Sequence, residues 1–379
     1  MPRFASLPGR LALVLMAAAL AGACSLPESG TAKSPSPAAS SSRTSSPSAT
    51  PSAIPSQSHA PAPAAGSYGV LVSPLSSSNY TVSLVGVDGR VVASQVANTP
   101  GTVTCGGTAA GVVPPPVSTS STRVYFMDAL GVVRYLAPNG DAGQTITLPI
   151  GPARRSLFAV SPDDSLMAVV VVDFTSGGAT SSLYVYQLQP GGAQVLLFRQ
   201  SGAYTLWPTG WHGTTSLILA KVPSCTQGGG PFCCGPQEFH VVDPRTAVRR
   251  FIVGGAACVI AGPPSPAGAV CEDTTAFAQA SVLDWTGATI HSYPVSGPTP
   301  AYLSPDGTLV AIAAIGAPMT TLVPTNVAVS LAACGWIDDT HLLSGGDAQH
   351  QPSVGNLTTG QVVPVAALGD CAGRIPGGL

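Results

Sequence analysis

One short pattern constrains this chain more than anything else in it. Val160-Ser161-Pro162-Asp163-Asp164-Ser165 runs into Leu166-Met167-Ala168-Val169-Val170-Val171, and Leu303-Ser304-Pro305-Asp306-Gly307-Thr308 runs into Leu309-Val310-Ala311-Ile312. Proline presets φ for a tight turn, and the Asp and Ser side chains bond back onto the local backbone. The apolar run that follows is too short for a helix and reads as a buried strand. A lone hairpin of this kind is marginal in water, so the pattern demands companions.

Weaker copies supply them. Ser118, His212, Ser265 and Ile337 each sit at the same point of an apolar–turn–apolar unit, ahead of Val124-Tyr125-Phe126, Leu217-Ile218-Leu219, Val270-Cys271 and Leu342-Leu343. With Ser161 and Ser304 they fall at steps of 33 to 53 residues, bracketing the period of about 40–50 residues expected of propeller blades. Most copies are followed by a second hairpin that turns on Asp, Asn or Gly. These turns are Asp88-Gly89, Asn139-Gly140, Pro190-Gly191-Gly192, Asp243-Pro244, Asp284 to Gly287 and Asn356 to Gly360. Each unit therefore reads as four antiparallel strands, which is one blade. With an N-terminal unit over Tyr68 to Ala97, the count is seven blades; six or eight also fit, because the unit around Thr320 to Leu331 is short. The 43 Gly, 37 Pro and many β-branched residues agree with an all-β chain.

The N-terminus obeys a different logic. Arg3 and Arg10 flank the start, Leu11 to Leu20 is uninterrupted and apolar, and Ala21-Gly22-Ala23 precedes Cys24. This is the three-part plan of a secretory signal over 1–23, and its apolar run falls short of the ~20 residues that span a bilayer. Small residues directly before Cys24 resemble a bacterial lipobox, which implies diacylation of that thiol. The usual leucine is displaced by one position, as Leu20. Ala21-x-Ala23 also suits an ordinary signal peptidase and a freely secreted product. Residues 24–66 continue as Ser, Pro, Ala and Thr, a composition that buries no core and predicts a disordered or polyproline-II linker. At about 3.1 Å per residue it could reach roughly 130 Å. The propeller domain is expected over 67–379.

Ser304-Pro305-Asp306-Gly307 resembles the Ser-Pro-Asp-Gly core of the WD40-like repeat of TolB-type bacterial propellers. The Ser161 copy carries Asp164 where that motif has Gly. The resemblance implies a fold and a tendency to bind proteins or peptides; it implies no site residue, because the motif is structural. The layout also resembles bacterial lipoproteins that join a Pro/Ser linker to a propeller.

Nine cysteines are an odd number; setting Cys24 aside leaves Cys105, Cys225, Cys233, Cys234, Cys258, Cys271, Cys334 and Cys371. In an exported chain an even set predicts disulfides. Cys258 and Cys271 flank one turn and so face each other on adjacent strands. Cys334 and Cys371 tie the last blade to the tail, where the ring must close. Cys105, Cys225, Cys233 and Cys234 are then left to pair among themselves. Zinc held by the Cys225–Cys234 loop with His240 is the alternative, but the two-residue spacing of zinc knuckles is absent, and no metal or other cofactor is predicted.

Trp211 and Trp336 occupy equivalent points of two blades and read as inter-blade packing. The pairs Asp163-Asp164, Glu272-Asp273 and Asp338-Asp339 read as turn chemistry rather than calcium ligands. Arg154-Arg155 and Arg249-Arg250 read as solvated.

Charged residues make up 8% of the chain and the formal charge is −2, which excludes a basic nucleic-acid surface. The leading expectation is a non-enzymatic binding or scaffold propeller, lipid-anchored outside the cytoplasmic membrane, that presents its loop-rich face or channel mouth to a protein, peptide or cell-wall ligand. A propeller hydrolase or lyase is the first alternative. Against it, the chain has only three glutamates and no Gly-x-Ser-x-Gly elbow. A sensory accessory of a membrane kinase or transporter is the second.

Overall fold

A computed structural model describes residues 66–73, 78–105, 109–111, 116–175, 178–189, 191–224, 236–314 and 317–379. The proposed signal, Cys24 and nearly all of the linker lie outside the described residues, as do Cys225, Cys233, Cys234 and the side chain of Cys105.

Seven four-stranded antiparallel sheets form a propeller. Blade 2 comprises β6 (Val117–Thr119), β7 (Val124–Met127), β8 (Val132–Leu136) and β9 (Ala142–Thr147). Blade 3 is β10 (Arg154–Val160), β11 (Leu166–Thr175), β12 (Gly178–Gln187) and β13 (Gln194–Gly202). Blade 4 is β14 (Tyr204–His212), β15 (Ser216–Pro223), β16 (Glu238–Val242) and β17 (Arg249–Gly254). Blade 5 is β18 (Cys258–Ile260), β19 (Ala269–Asp273), β20 (Gln279–Leu283) and β21 (Thr289–Pro294). Blade 6 is β22 (Ala301–Leu303), β23 (Val310–Ala313), β24 (Thr320–Val323) and β25 (Val327–Val329). Blade 7 is β26 (Ala333–Asp338), β27 (His341–Ser344), β28 (Ser353–Asn356) and β29 (Val362–Pro364).

Blade 1 is composite. The N-terminal unit supplies β1 (Tyr68–Val72), β2 (Asn79–Gly86) and β3 (Val91–Asn98), and the tail supplies β30 (Asp370–Ile375), in the order β3-β2-β1-β30. First strands of successive blades touch around the axis, and β30 touches both β6 and β26. A separate hairpin, β4 (Val103–Cys105) with β5 (Ala109–Gly111), lies between blades 1 and 2 in the chain. Its Val103 is fully buried in the cluster that contains Leu157 and Val170 of blade 3.

The core lies between blades, as the continuous apolar strands require. Val70, Leu84 and Ile375 of blade 1 pack with Phe126 and Leu136 of blade 2. Phe158 and Met167 of blade 3 pack with Tyr125 and Met127 of blade 2. Leu71 and Val85 of blade 1 pack with Ile337 and Leu343 of blade 7. At that last seam Gly69 permits a close approach, because a Cβ there would stand 2.7 Å from Leu343.

The repeated turn works as its residues dictate. Ser304 Oγ donates to Asp306 (2.7 Å) and accepts from the Leu309 amide (3.0 Å). Ser161 does the same with Asp163 (2.6 Å) and Leu166 (2.9 Å). Asp164 departs from the Ser-Pro-Asp-Gly pattern for a reason the structure supplies. It adopts the left-handed φ of +60°, as Gly307 does at +77°, and its carboxylate accepts from Thr122 (2.6 Å) and Tyr125 (2.7 Å) of blade 2. Asp164→Gly therefore restores the motif and still destabilises, by about 1–2 kcal/mol for two lost inter-blade bonds. Urea titration checks this; a gain in stability would mean that turn strain outweighs the bonds.

Both tryptophans pack between blades. Trp211 donates its indole N–H to Ala159 O (3.0 Å) and Trp336 donates to Tyr302 O (2.9 Å), the same position of the preceding blade in each case. Asp163, Asp273 and Asp338 accept from nearby amides in their turns.

Two readings need correction. Arg155 is not solvated: it is 2% exposed and its guanidinium donates to Gly101 O, because the segment leading into β4 covers it. Glu272 is not a turn residue: it lies in β19, is buried, and accepts from Thr299 N and Oγ1. Burial raises its carboxyl above the usual range.

Candidate functional site

Along most of the ring, successive blades cover each other's faces. Between blades 3 and 4 the outer strand β13 leaves part of the neighbouring face open, as a trough of about 660 Å³. Side chains on a strand alternate between its two sides. Leu219 and Lys221 on β15, with Glu238, His240 and Val242 on β16, therefore share one face, and that face is the trough floor.

Register builds the charged part. Lys221 and Glu238 are direct cross-strand partners. Lys221 Nζ stands 3.3 Å from Glu238 Oε1, and His240 Nε2 stands 2.8 Å from the same oxygen. The ammonium also lies 5.0 Å from the centre of the Tyr204 ring, a cation–π arrangement. Burial acts to raise the Glu238 carboxyl, but hydrogen bonds from His240 and Lys221 outweigh it and hold the group below the usual carboxylate range. Burial pushes the His240 imidazole below its ordinary value, against the upward pull of Glu238. At neutral pH the carboxylate is charged and the imidazole neutral, so Nε2–H donates to Glu238.

Arg199 on β13 and Arg249 on β17 are exposed at the lips. With Lys221 they set three cations against one carboxylate. The arrangement is suited to holding an anionic ligand. It is poorly suited to proton transfer, because His240 Nε2 is already bonded to Glu238. A smaller cavity of about 360 Å³ between blades 4 and 5 is lined by Gly254, Gly255, Ala256, Ser281 and Thr289, among others, and by no ionisable side chain.

The channel mouth, expected as a ligand surface, is crossed by the tail on the side of the Ser-Pro-Asp turns. Gly377 N donates to Ser120 O (2.7 Å), Leu379 N to Trp211 O (2.6 Å) and Gly213 N to Leu379 O (3.0 Å). His212 Nδ1 lies 2.9 Å from the same Leu379 oxygen, and its ring packs on Trp285 at 5.8 Å.

Cys258 and Cys271 form a disulfide within blade 5, with Cα atoms 5.3 Å apart. Cys334 and Cys371 form one between blades 7 and 1, at 5.6 Å. No group of three His, Cys, Asp or Glu side chains among the described residues is placed to hold a metal. The thiols of the zinc alternative lie outside those residues.

The trough was missed in the sequence. Lys221 and Glu238 were visible as rare residues, the first one of two lysines and the second one of three glutamates. Their pairing depends on a register set across the 225–235 connection, and no local pattern specifies it.

No family model matches the chain, and no curated protein matches it. Among solved structures it is similar to dihydro-heme d1 dehydrogenase NirN in complex with DHE, at 13% identity over 83% of this chain and 77% of that one, TM-score 0.46. It is also similar to the Myceliophteria thermophila Cps50 (Swd1) β-propeller domain, at 9% identity over 79% and 95%, TM-score 0.41. A third is KlHsv2 with loop 6CD replaced by a Gly-Ser linker, at 11% identity over 81% and 99%, TM-score 0.40. The propeller assignment rests on the sheet order itself.

Proposed function

We propose that the chain is a lipid-anchored extracytoplasmic docking protein whose propeller binds a protein, peptide or cell-wall ligand. The observation that carries the binding reading is the inter-blade trough, where a chain with few charges gathers Arg199, Lys221, Glu238, His240 and Arg249 around open apolar floor. Support for the anchor comes from the sequence: the apolar run Leu11–Leu20, the small residues before Cys24, and the Pro/Ser linker. Two acyl chains on one cysteine suffice for stable attachment, where a single chain does not.

The wild-type protein is expected in the detergent phase of a membrane extraction, and Cys24→Ser is expected to move essentially all of it to the aqueous phase or the medium. Wild type found unlipidated in the medium sinks the anchor. Crosslinking in intact cells is expected to attach a defined partner to the propeller; an abundant chain that yields no specific adduct sinks the docking reading.

A further inference from the structure

We propose that the trough receives an extended acidic peptide segment, added as a fifth strand along β13 of blade 3. The inference rests on the docking reading above and specifies its ligand.

The shape of the trough comes first. Eight successive residues from Leu197 to Tyr204 border it. A strand's face presents only alternate residues, as β15 and β16 do at the floor, so it is the edge of β13 that forms this wall. That edge is free: β13 ends its sheet and pairs only with β12. At nine residues it is longer than any other outer strand, the next being β3 at eight. Nine residues at about 3.3 Å each make an edge of roughly 30 Å, a length that suits an extended backbone.

The edge is also unguarded. Native sheets blunt free edges with Lys, Pro or bulges. Gln194-Val195-Leu196-Leu197-Phe198-Arg199-Gln200-Ser201-Gly202 contains no Lys and no Pro, and Val195 and Leu196 are 52% and 53% exposed. Unpaired N–H and C=O groups on such an edge are what strand addition uses, with pockets for alternate side chains giving selectivity.

Charge selects the occupant. Arg199 stands on the wall, Lys221 on the floor and Arg249 on the far lip, against Glu238 alone. Leu219 and Val242 supply apolar floor between them. A strand laid here turns one set of alternate side chains to that floor and the other to the arginines, so the segment that fits alternates apolar with acidic residues.

The test uses the full-length lipoprotein in detergent and a fluorescent octapeptide alternating valine with glutamate. Binding by polarisation is expected, with affinity falling about tenfold or more when lysine replaces glutamate. Arg199→Gln and Arg249→Gln are each expected to weaken binding by about threefold to tenfold and to leave the melting temperature unchanged. N-methylating one alternate set of peptide amides is expected to abolish binding, and methylating the other set to leave it within about threefold, because only one set faces β13. This measurement alters only the ligand, so a variant that misfolds does not obscure it.

Binding that tolerates methylation of both sets overturns strand addition, and so does equal binding of the lysine peptide. Tighter binding of poly(glycerol phosphate) than of the peptide overturns the peptide assignment in favour of an anionic wall polymer. A cellular partner whose crosslinking is unaffected by Arg199→Gln and Arg249→Gln sinks this inference and leaves the docking reading intact; only the absence of any partner sinks the latter.

Discussion

Removal of residues 370–379 abolishes cooperative folding of the propeller. β30 is the innermost strand of blade 1 and pairs with β1 through Tyr68↔Ile375 and Val72↔Asp370. Without it β1 has an open edge at the axis, and the cluster of Val70, Leu84, Phe126 and Leu136 loses the fully buried Ile375. Three contributions disappear together. Burial of Ile375 accounts for about 1.5–3 kcal/mol, and each ladder bond of the β1–β30 pair for about 1 kcal/mol. The Cys334–Cys371 disulfide closes a separation of 37 residues, and loop-closure entropy puts its contribution at about 4 kcal/mol.

The total is on the order of a whole domain's stability of about 5–15 kcal/mol. Urea unfolding followed by tryptophan fluorescence, with limited proteolysis alongside, reads the outcome: the truncated chain is expected to show no sigmoidal transition and rapid cleavage. A sharp transition at the wild-type midpoint would refute the closure role of β30. Cys371→Ser alone is the milder comparison. It should cost more than Cys258→Ser, whose bridge spans 13 residues and contributes about 3 kcal/mol on the same reasoning.

Trp211→Ala is expected to lower stability by about 3–5 kcal/mol. The side chain is fully buried and sits in the cluster joining blades 3 and 4. Truncation leaves a cavity in a ring whose blades hold one another by such contacts, and it strips Ala159 O of its indole donor. Trp211→Phe keeps most of the volume and separates the bond from the bulk; about 1–2 kcal/mol is expected for it. Trp336→Ala removes the same bond from a slightly more open position, 6% exposed, and should cost less than Trp211→Ala. A Trp211→Ala midpoint within error of wild type would mean that this seam does not limit stability.

How legible all this was in the sequence depends on the range of the interaction. The Ser-Pro-Asp turns were plain because Ser304, Asp306 and Leu309 bond within one short stretch. The hairpins were plain for the same reason, at Asp88-Gly89 or Asn139-Gly140. The seam was read from cysteine positions, because Cys334 and Cys371 stand at opposite flanks of the last unit. Burial of Arg155 could not be read, since a segment some fifty residues earlier covers it. Glu272 was misread because its partner, Thr299, belongs to the connection leading into the next blade. The trough was hidden twice: the Lys221–Glu238 pair depends on strand register, and the open floor depends on how far β13 stands from its neighbour.

Blade 1 takes three strands from the start of the domain and one from its end. A chain emerging from its first residue onward can complete blades 2 to 7 in order, yet β1 waits edge-on until β30 appears. Contacts spanning nearly the whole domain form slowly, because their loop-closure entropy must be met before they return anything. The last residues made therefore time the whole assembly, and a premature stop shortly before Asp370 would leave an almost complete wheel with no rim joint.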